Sequence, residues 1–388
     1  MSDADSSAAA SPLSAAAAPG AALAEDWAPT VTRERLVQRA RLISEVRTFF
    51  AEREVLEVET PVLGQAGSTD VGLASLSLSA QLPGERERVP LWLQTSPEFH
   101  MKRLLAAGSG PIFQIARAFR DGEVSRRHNP EFCMLEWYRP GMSLEALMTE
   151  TCELIRRVMA LGAQLTGKPS LLSESQDAQV RPAITPYRAL FRRVLALDPF
   201  TASLEELRAV CARECEVAAD DWSHETCLDA LMSLVIEPTL GSGAQGAEAQ
   251  GAGAQGSGSE GVEAQGRATV ELVTEYPAAQ AALARKHQDS EGGWVASRFE
   301  AYVAGIELAN GYDELTDASE QAARFAEDNA ARVAQGLPEV AADQRLVAAL
   351  QAGMPAGSGV ALGLDRLIML ALGERDISAV IAFPASRA

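Results

Sequence analysis

Between residues 33 and 53, apolar positions recur at helical spacing among charged ones (Leu36, Val37, Ala40, Ile43, Val46, Phe49, Phe50), which predicts a long amphipathic helix. Val55 to Val58 reads as a strand, and Pro61 ends regular pairing or sits at an edge. Strand-like runs recur at 91–94, 112–115, 132–138, 269–274, 300–308 and 358–362. Helical periodicity covers 97–107, 143–161, 203–216, 318–335 and 364–372. The two kinds of element do not alternate strictly, so the pattern predicts an α+β fold on an antiparallel sheet.

Two stretches break the pattern. Residues 1–26 are rich in Ala, Ser, Pro and Gly, and residues 241–266 hold nine glycines and four Ala-Gln-Gly copies. Such composition has too little apolar area to offset the entropy of ordering. The expected organisation is a disordered tail over 1–30 and a catalytic-sized domain over 31–388, with a flexible insertion at 241–267. Long insertions are tolerated because loop-closure cost grows only logarithmically.

Composition narrows the class. Hydrophobic residues make up 47% of the 388, a globular value, and no run approaches the length of a membrane span. The first 26 residues carry no Lys or Arg, unlike a secretory or mitochondrial leader, and five scattered cysteines make no disulfide framework. A cytoplasmic protein is expected. The net charge is −19, of which the tail and insertion account for seven acids and no bases. That balance argues against stable binding of tRNA or other nucleic acid and favours a basic protein partner.

Three blocks carry candidate chemistry: FFAEREVLEVETPVL; LWLQTSPEFHMKRLL with IFQIARAFRDGEVSRRHNPEFCMLEWYRP; and SGVALGLDRLIMLALG, preceded by RFEAYVAGIELANGYDELTD. Taken singly they have plain explanations. The Gly359 to Gly363 spacing is weak evidence of phosphate binding, Arg126 to His128 could be a solvated loop, and Glu300, Glu307 and Glu314 could be surface carboxylates.

Taken together and in order, they resemble the class II aminoacyl-tRNA synthetase catalytic domain, whose fold is a mixed, mainly antiparallel sheet flanked by helices. The lysine branch is most similar, through Thr95-Ser96-Pro97-Glu98, Arg117-Ala118-Phe119-Arg120, His128-Asn129-Pro130-Glu131-Phe132 and Gly311-Tyr312-Asp313-Glu314-Leu315. Members that charge tRNA carry an additional N-terminal anticodon-binding barrel, whereas only a low-complexity tail precedes Arg33 here. MKRLLAAGSGP, MLEWYRPGM and GVALGLDRL look like the truncated family of elongation factor P–(R)-β-lysine ligases. Ala361 agrees, because tRNA-charging relatives typically have glycine there.

The resemblance implies that ATP and Mg²⁺ activate (R)-β-lysine as an adenylate, and that the acyl group passes to a lysine of elongation factor P. It assigns catalysis to Arg120, at the α-phosphate and reacting carboxylate, and to Arg366, at the γ-phosphate. ATP would also meet Asp121, Gly122, Glu123, His128, Asn129, Glu307, Leu308 and Gly363. Glu300 and Glu307 would face each other across strands and hold Mg²⁺. Glu98, Glu136, Glu314 and Tyr138 would pair with a diamino acid, beside Ser96, Pro97, Asn310 and Ala361.

One departure concerns adenine. The superfamily's Phe-Arg-x-Glu reads Phe119-Arg120-Asp121-Gly122-Glu123 here, so either Glu123 reaches the base through a Gly122-adjusted loop or backbone holds it. The first motif implies a homodimer. No general base is evident for the second step. Cys211, Cys215, His224 and Cys227 have the types of a zinc site, but their spacing is unusual and the cysteines read as buried helix residues. Alternatives are a lysine-activating or tRNA-charging paralogue and a noncatalytic regulatory one; Arg120, Arg366, Glu300 and Glu307 speak against the last.

Overall fold

The computed structural model describes residues 27–172, 182–242 and 268–388. The expected tail and insertion lie outside these, apart from 27–30 and 241–242. Helix α1 (Arg33–Ala51) starts where the Thr32 side chain accepts the Arg35 N–H, and it buries Leu42, Val46, Phe49 and Phe50. Leu36 and Val37, on the same helix, stay exposed at 40% and 41%.

Strand β1 (Leu56–Glu57) is followed by β2 (Leu63–Gly64), β3 (Ser77–Ala80) and β4 (Val89–Leu93), the last three forming a small antiparallel sheet in the order β2-β4-β3. Helix α2 (Glu98–Ala106) then leads to β5 (Ile112–Phe119) and β6 (Glu131–Pro140), an antiparallel pair. Helix α3 (Leu144–Thr166) is capped by Ser143 and ends at Gly167, whose φ of 65° suits the left-handed C-terminal turn. Next come β7 (Ala183–Pro186), α4 (Tyr187–Leu195), α5 (Leu204–Glu214), α6 (His224–Leu231) and β8 (Val270–Thr274). The hairpin β9 (Lys286–Gln288)–β10 (Trp294–Ala296) precedes β11 (Arg298–Val303) and β12 (Ile306–Asp313). Helices α7 (Ala318–Ala334) and α8 (Gln344–Gly353), strand β13 (Gly357–Gly363) and helix α9 (Leu364–Ala371) complete the chain.

The central sheet has eight strands in the order β1-β5-β6-β13-β12-β11-β8-β7, antiparallel except for its two outermost pairs. Its faces separate cleanly because successive residues of a strand point to opposite sides. Leu135 and Trp137 of β6, Val360 and Leu362 of β13 and Ala301 of β11 enter a core with α1, α3 and α9. The intervening residues face the other way, toward a cleft.

A second core joins α4, α5 and α6 to that sheet through Tyr187, Phe191, Leu207, Tyr276 and Tyr302. Cys211 and Cys227 are packing residues there, with Cys211 Sγ 3.6 Å from the Cys227 carbonyl, while Cys215 ends α5 and His224 begins α6. Burial pushes the Cys211 thiol up to about 12, so it stays protonated.

The sequence run 300–308 is two strands rather than one. Ala304 and Gly305, with φ of 51° and 71°, turn the chain between β11 and β12. Apolar residues run straight through this turn, which hid it from the hydrophobic pattern. Helices α4, α6 and α8 are short elements that the periodicity did not mark.

Candidate active site

A cleft of about 1500 Å³ opens over the polar face of the sheet. Beneath it runs a row of cross-strand neighbours, Gln114 pairing with Glu136, Glu136 with Ala361, Ala361 with Asn310, and Asn310 with Glu300, of which Ala361, Asn310 and Glu300 line the cleft while Gln114 and Glu136 are buried behind it. Five strands thus bring one side chain each to one line.

Arg366 comes from the first turn of α9. Asp365 before it is held by Arg39 of α1 at 2.5 Å and by the Cys133 backbone N–H at 2.7 Å, which fixes the start of that helix. Arg366 Nη1 donates to the Glu307 carbonyl at 3.0 Å and lies 3.5 Å from its carboxylate. Nη2 meets His128 Nε2. An arginine can only donate, so Nε2 accepts and the ring proton sits on Nδ1, which then donates to Ser125 Oγ at 2.7 Å. Burial and Arg366 both lower the His128 pKa, keeping the ring in that neutral form.

Arg120 lies at the end of β5 with Nη1 3.3 Å from Glu123 Oε1. Gly122 has φ of 77°, the conformation that glycine adopts freely, and it carries Glu123 back over the cleft. Glu123 therefore sits beside Arg120, one residue later than the usual motif would place an acid. Asp121 and Gly122 are exposed and do not line the cleft. Asn129 does, but both ends of its amide are bound: Nδ2 donates to the Glu131 carbonyl at 2.6 Å and Oδ1 accepts from Ala385 at 2.9 Å.

The pairing expected of Glu300 and Glu307 is not found. Glu300 stands opposite Asn310, and Glu307 opposite Tyr302, because the register shifts between Ala301 and Tyr302 and leaves Leu308 as the extra residue of a bulge. Glu300 is already engaged: Arg298 and Asn310 reach Oε1, while Tyr276 and Tyr302 donate to Oε2 at 2.6 and 2.5 Å. Glu307 is the freer acid. Burial and then Glu300 raise its pKa, and Glu237 beside them is pushed up to about 7 by burial and by Glu307 and Glu300. Half-buried carboxylates that repel one another fit a hard divalent cation, which would hold them ionised. Among the described residues no three His, Cys, Asp or Glu gather closely enough to hold an ion alone. Mg²⁺ would therefore need water and phosphate oxygens as well.

The expected amino-acid pocket is brought together, but in two layers. Ser96, Glu98, Asn310 and Ala361 line the cleft. Pro97 does not; it sets the start of α2. Glu136, Tyr138 and Glu314 lie buried behind the wall and do not line it, a correction to their direct role in the sequence reading. Their layer is continuous with the cleft through Ser96, whose hydroxyl donates to Glu136 Oε1 at 2.5 Å and accepts the Glu98 N–H at 3.0 Å. Tyr138 donates to Glu136 Oε2 at 3.0 Å. Burial and the Glu98 charge push Glu136 up to about 8, and burial pushes Glu314 up to about 7 despite Lys102.

Several participants escaped the sequence reading. Lys102 lies one helical turn past Glu98, a four-residue spacing that could have been read. Arg298 shares a face with Glu300 by strand alternation. Glu237 and Tyr276 had no signal, since only the fold brings them here. Gly359 serves packing: a Cβ there would lie 2.3 Å from the Tyr138 ring and 2.4 Å from Glu314 Oε1.

Residues 26–387 match the family model described as tRNA synthetases class II (D, K and N). The chain belongs to that family. It is 43% identical over 365 residues to a Proteus mirabilis protein named elongation factor P–(R)-β-lysine ligase, covering 94% of this chain and 98% of that one. A Histophilus somni protein of the same name is 42% identical over 362 residues, covering 93% and 98%.

Proposed function

We propose that the chain joins the carboxylate of (R)-β-lysine to the α-phosphate of ATP and passes the acyl group to a lysine ε-amine of elongation factor P. The observation that carries this reading is an acid-rich pocket, Glu98 backed by Glu136 and Glu314, opening beside Arg120 and Arg366 in one cleft. The names of the two relatives support the acceptor and the amino acid.

In the first step a carboxylate oxygen attacks the α-phosphorus, and the bond to the β-phosphate breaks to release pyrophosphate. Two anions must approach, so preorganised cations count most. Arg120 would bridge the carboxylate and α-phosphate, and Arg366, steadied by His128 and Glu307, would hold the far phosphate. Mg²⁺, held through Glu307 with Glu237 and Glu300 nearby, would neutralise phosphate charge when bound. In the second step the neutral amine attacks the acyl carbon, AMP leaves, and the nitrogen loses a proton. Positioning suffices for so reactive an acyl donor.

A homodimer would cover Leu36 and Val37 of α1, both exposed. Five free cysteines fit a reducing cytoplasm, and no helix of the described residues is long and apolar enough to cross a membrane. The net charge of −19 disfavours stable tRNA binding.

The test is incubation with ATP, labelled β-lysine or α-lysine, and either elongation factor P or tRNA. Label is expected in the protein with β-lysine. Label in tRNA would make the chain a charging enzyme, and absence of pyrophosphate exchange with every diamino acid would make it a regulatory paralogue.

A further inference from the structure

Lys102 is fully buried on α2, with its ammonium 2.7 Å from Glu98 Oε1 and 2.6 Å from Glu314 Oε2. Burial alone would strip such a lysine of its proton, but Glu314 and Glu98 outweigh burial and keep it charged. Lys102 does not line the cleft, so it is not placed to touch ATP or a guest. Its two acids differ in this respect. Glu314 lies behind the wall, whereas Glu98 lines the cleft with Oε1 buried on the Lys102 side. Oε2 is left for the guest.

We propose that Lys102 is a positioning and specificity residue, an internal ammonium that divides Glu98 between itself and the guest and cancels the charge of Glu314. The proposal rests on the diamino-acid reading above. The ionisable groups around the site are Glu98 and Lys102 on α2, Glu136 and Tyr138 on β6, and Tyr312, Asp313 and Glu314 at the end of β12.

Once a guest's ammonium draws the proton off Glu136, the acids Glu98, Glu136 and Glu314 carry three charges and Lys102 cancels one, leaving two. A guest with two ammonium groups balances them. An amino acid with a neutral side chain brings one ammonium and strands a buried carboxylate, or forces it to keep its proton. Without Lys102, Glu98 and Glu314 would face each other with no cation between them, and like charges in a buried site share a proton. That proton would sit part of the time on Glu98 and remove the charge that holds the guest.

ATP–pyrophosphate exchange with varied (R)-β-lysine, at pH 7 and pH 9, tests this on the full chain. Lys102→Met is expected to raise the β-lysine KM about tenfold at pH 7, with the ATP KM within about twofold of wild type. The ratio of its β-lysine KM to that of the wild type should shrink by pH 9, where the shared proton is lost. In Lys102→Met/Glu314→Gln the like-charge pair left is Glu98–Glu136, which wild type shares, so the ratio should vary by less than about twofold between the two pH values; this variant carries the test if the single one does not fold. A β-lysine KM within about twofold of wild type in Lys102→Met overturns the proposal. So does a loss of equal size at both pH values in the single variant, or a ratio in the double one that varies by more than about twofold between them. A wild type that sustains exchange with no diamino acid overturns the underlying reading, and the proposal with it.

Discussion

Glu307 stands opposite Tyr302 across the β11–β12 hairpin, although Ala309, two residues further on, stands opposite Ala301. In a regular strand Glu307 and Asn310, three residues apart, would point to opposite faces. The bulge at Leu308 puts both on the cleft side, and Glu307 thereby meets Arg366.

That meeting makes Arg366 the preorganised end of the phosphate site. Arg366→Ala is expected to slow pyrophosphate exchange by about a hundredfold to a thousandfold, equivalent to about 2.7–4 kcal/mol of transition-state stabilisation. The measurement is kcat at saturating ATP. A change confined to the ATP KM would mean that Arg366 binds the ground and transition states equally.

Glu136 keeps its proton to about 8 in the fold, against 4.5 for an ordinary glutamate. Between these values the folded chain binds more protons than the unfolded one, so stability falls as pH rises through the window. Glu136→Gln removes that titration. Its Tm relative to wild type should climb from about pH 5 to about pH 8 and then level off. Melting curves across the range decide it; a flat difference would mean that Glu136 is ionised in the empty pocket.

Ala361 places its methyl between Glu136 and Asn310 on the cleft floor. Ala361→Gly should change the ratio of kcat/KM for β-lysine over α-lysine by roughly fivefold, about 1 kcal/mol, in favour of α-lysine. Exchange assays with the two isomers give the ratio. An unchanged ratio removes Ala361 from the specificity set.

Gly359 lets Tyr138 and Glu314 pack onto the β13 backbone. A methyl there would fall within 2.4 Å of both. Gly359→Ala should therefore cost about 1–3 kcal/mol of stability from overpacking and weaken amino-acid binding more than ATP binding. Denaturant titration and separate KM values for the two substrates test both halves, and equal losses for the two substrates would count against a local effect.

The two-layer pocket explains why acids that the sequence grouped correctly do not all reach a guest. Glu98, Glu136 and Glu314 do converge, yet only Glu98 lines the cleft. Spacing along α2 could have exposed Lys102, but nothing local says that Glu314 meets it from the far end of β12.

By itself the sequence determined the long elements and the motif order: α1, α3 and α9 follow from apolar periodicity, and β6 from a strand-like run over 132–138. Those signals are local, and a helix or strand period survives in a short window. Tertiary structure alone decided the row from Gln114 to Glu300, the bulge that turns Glu307, the engagement of Glu300 by Arg298 and two tyrosines, and the burial of Lys102 between two acids. Register and burial arise from which distant strands pair, and pairing energy is shared across the whole sheet rather than written at any one residue.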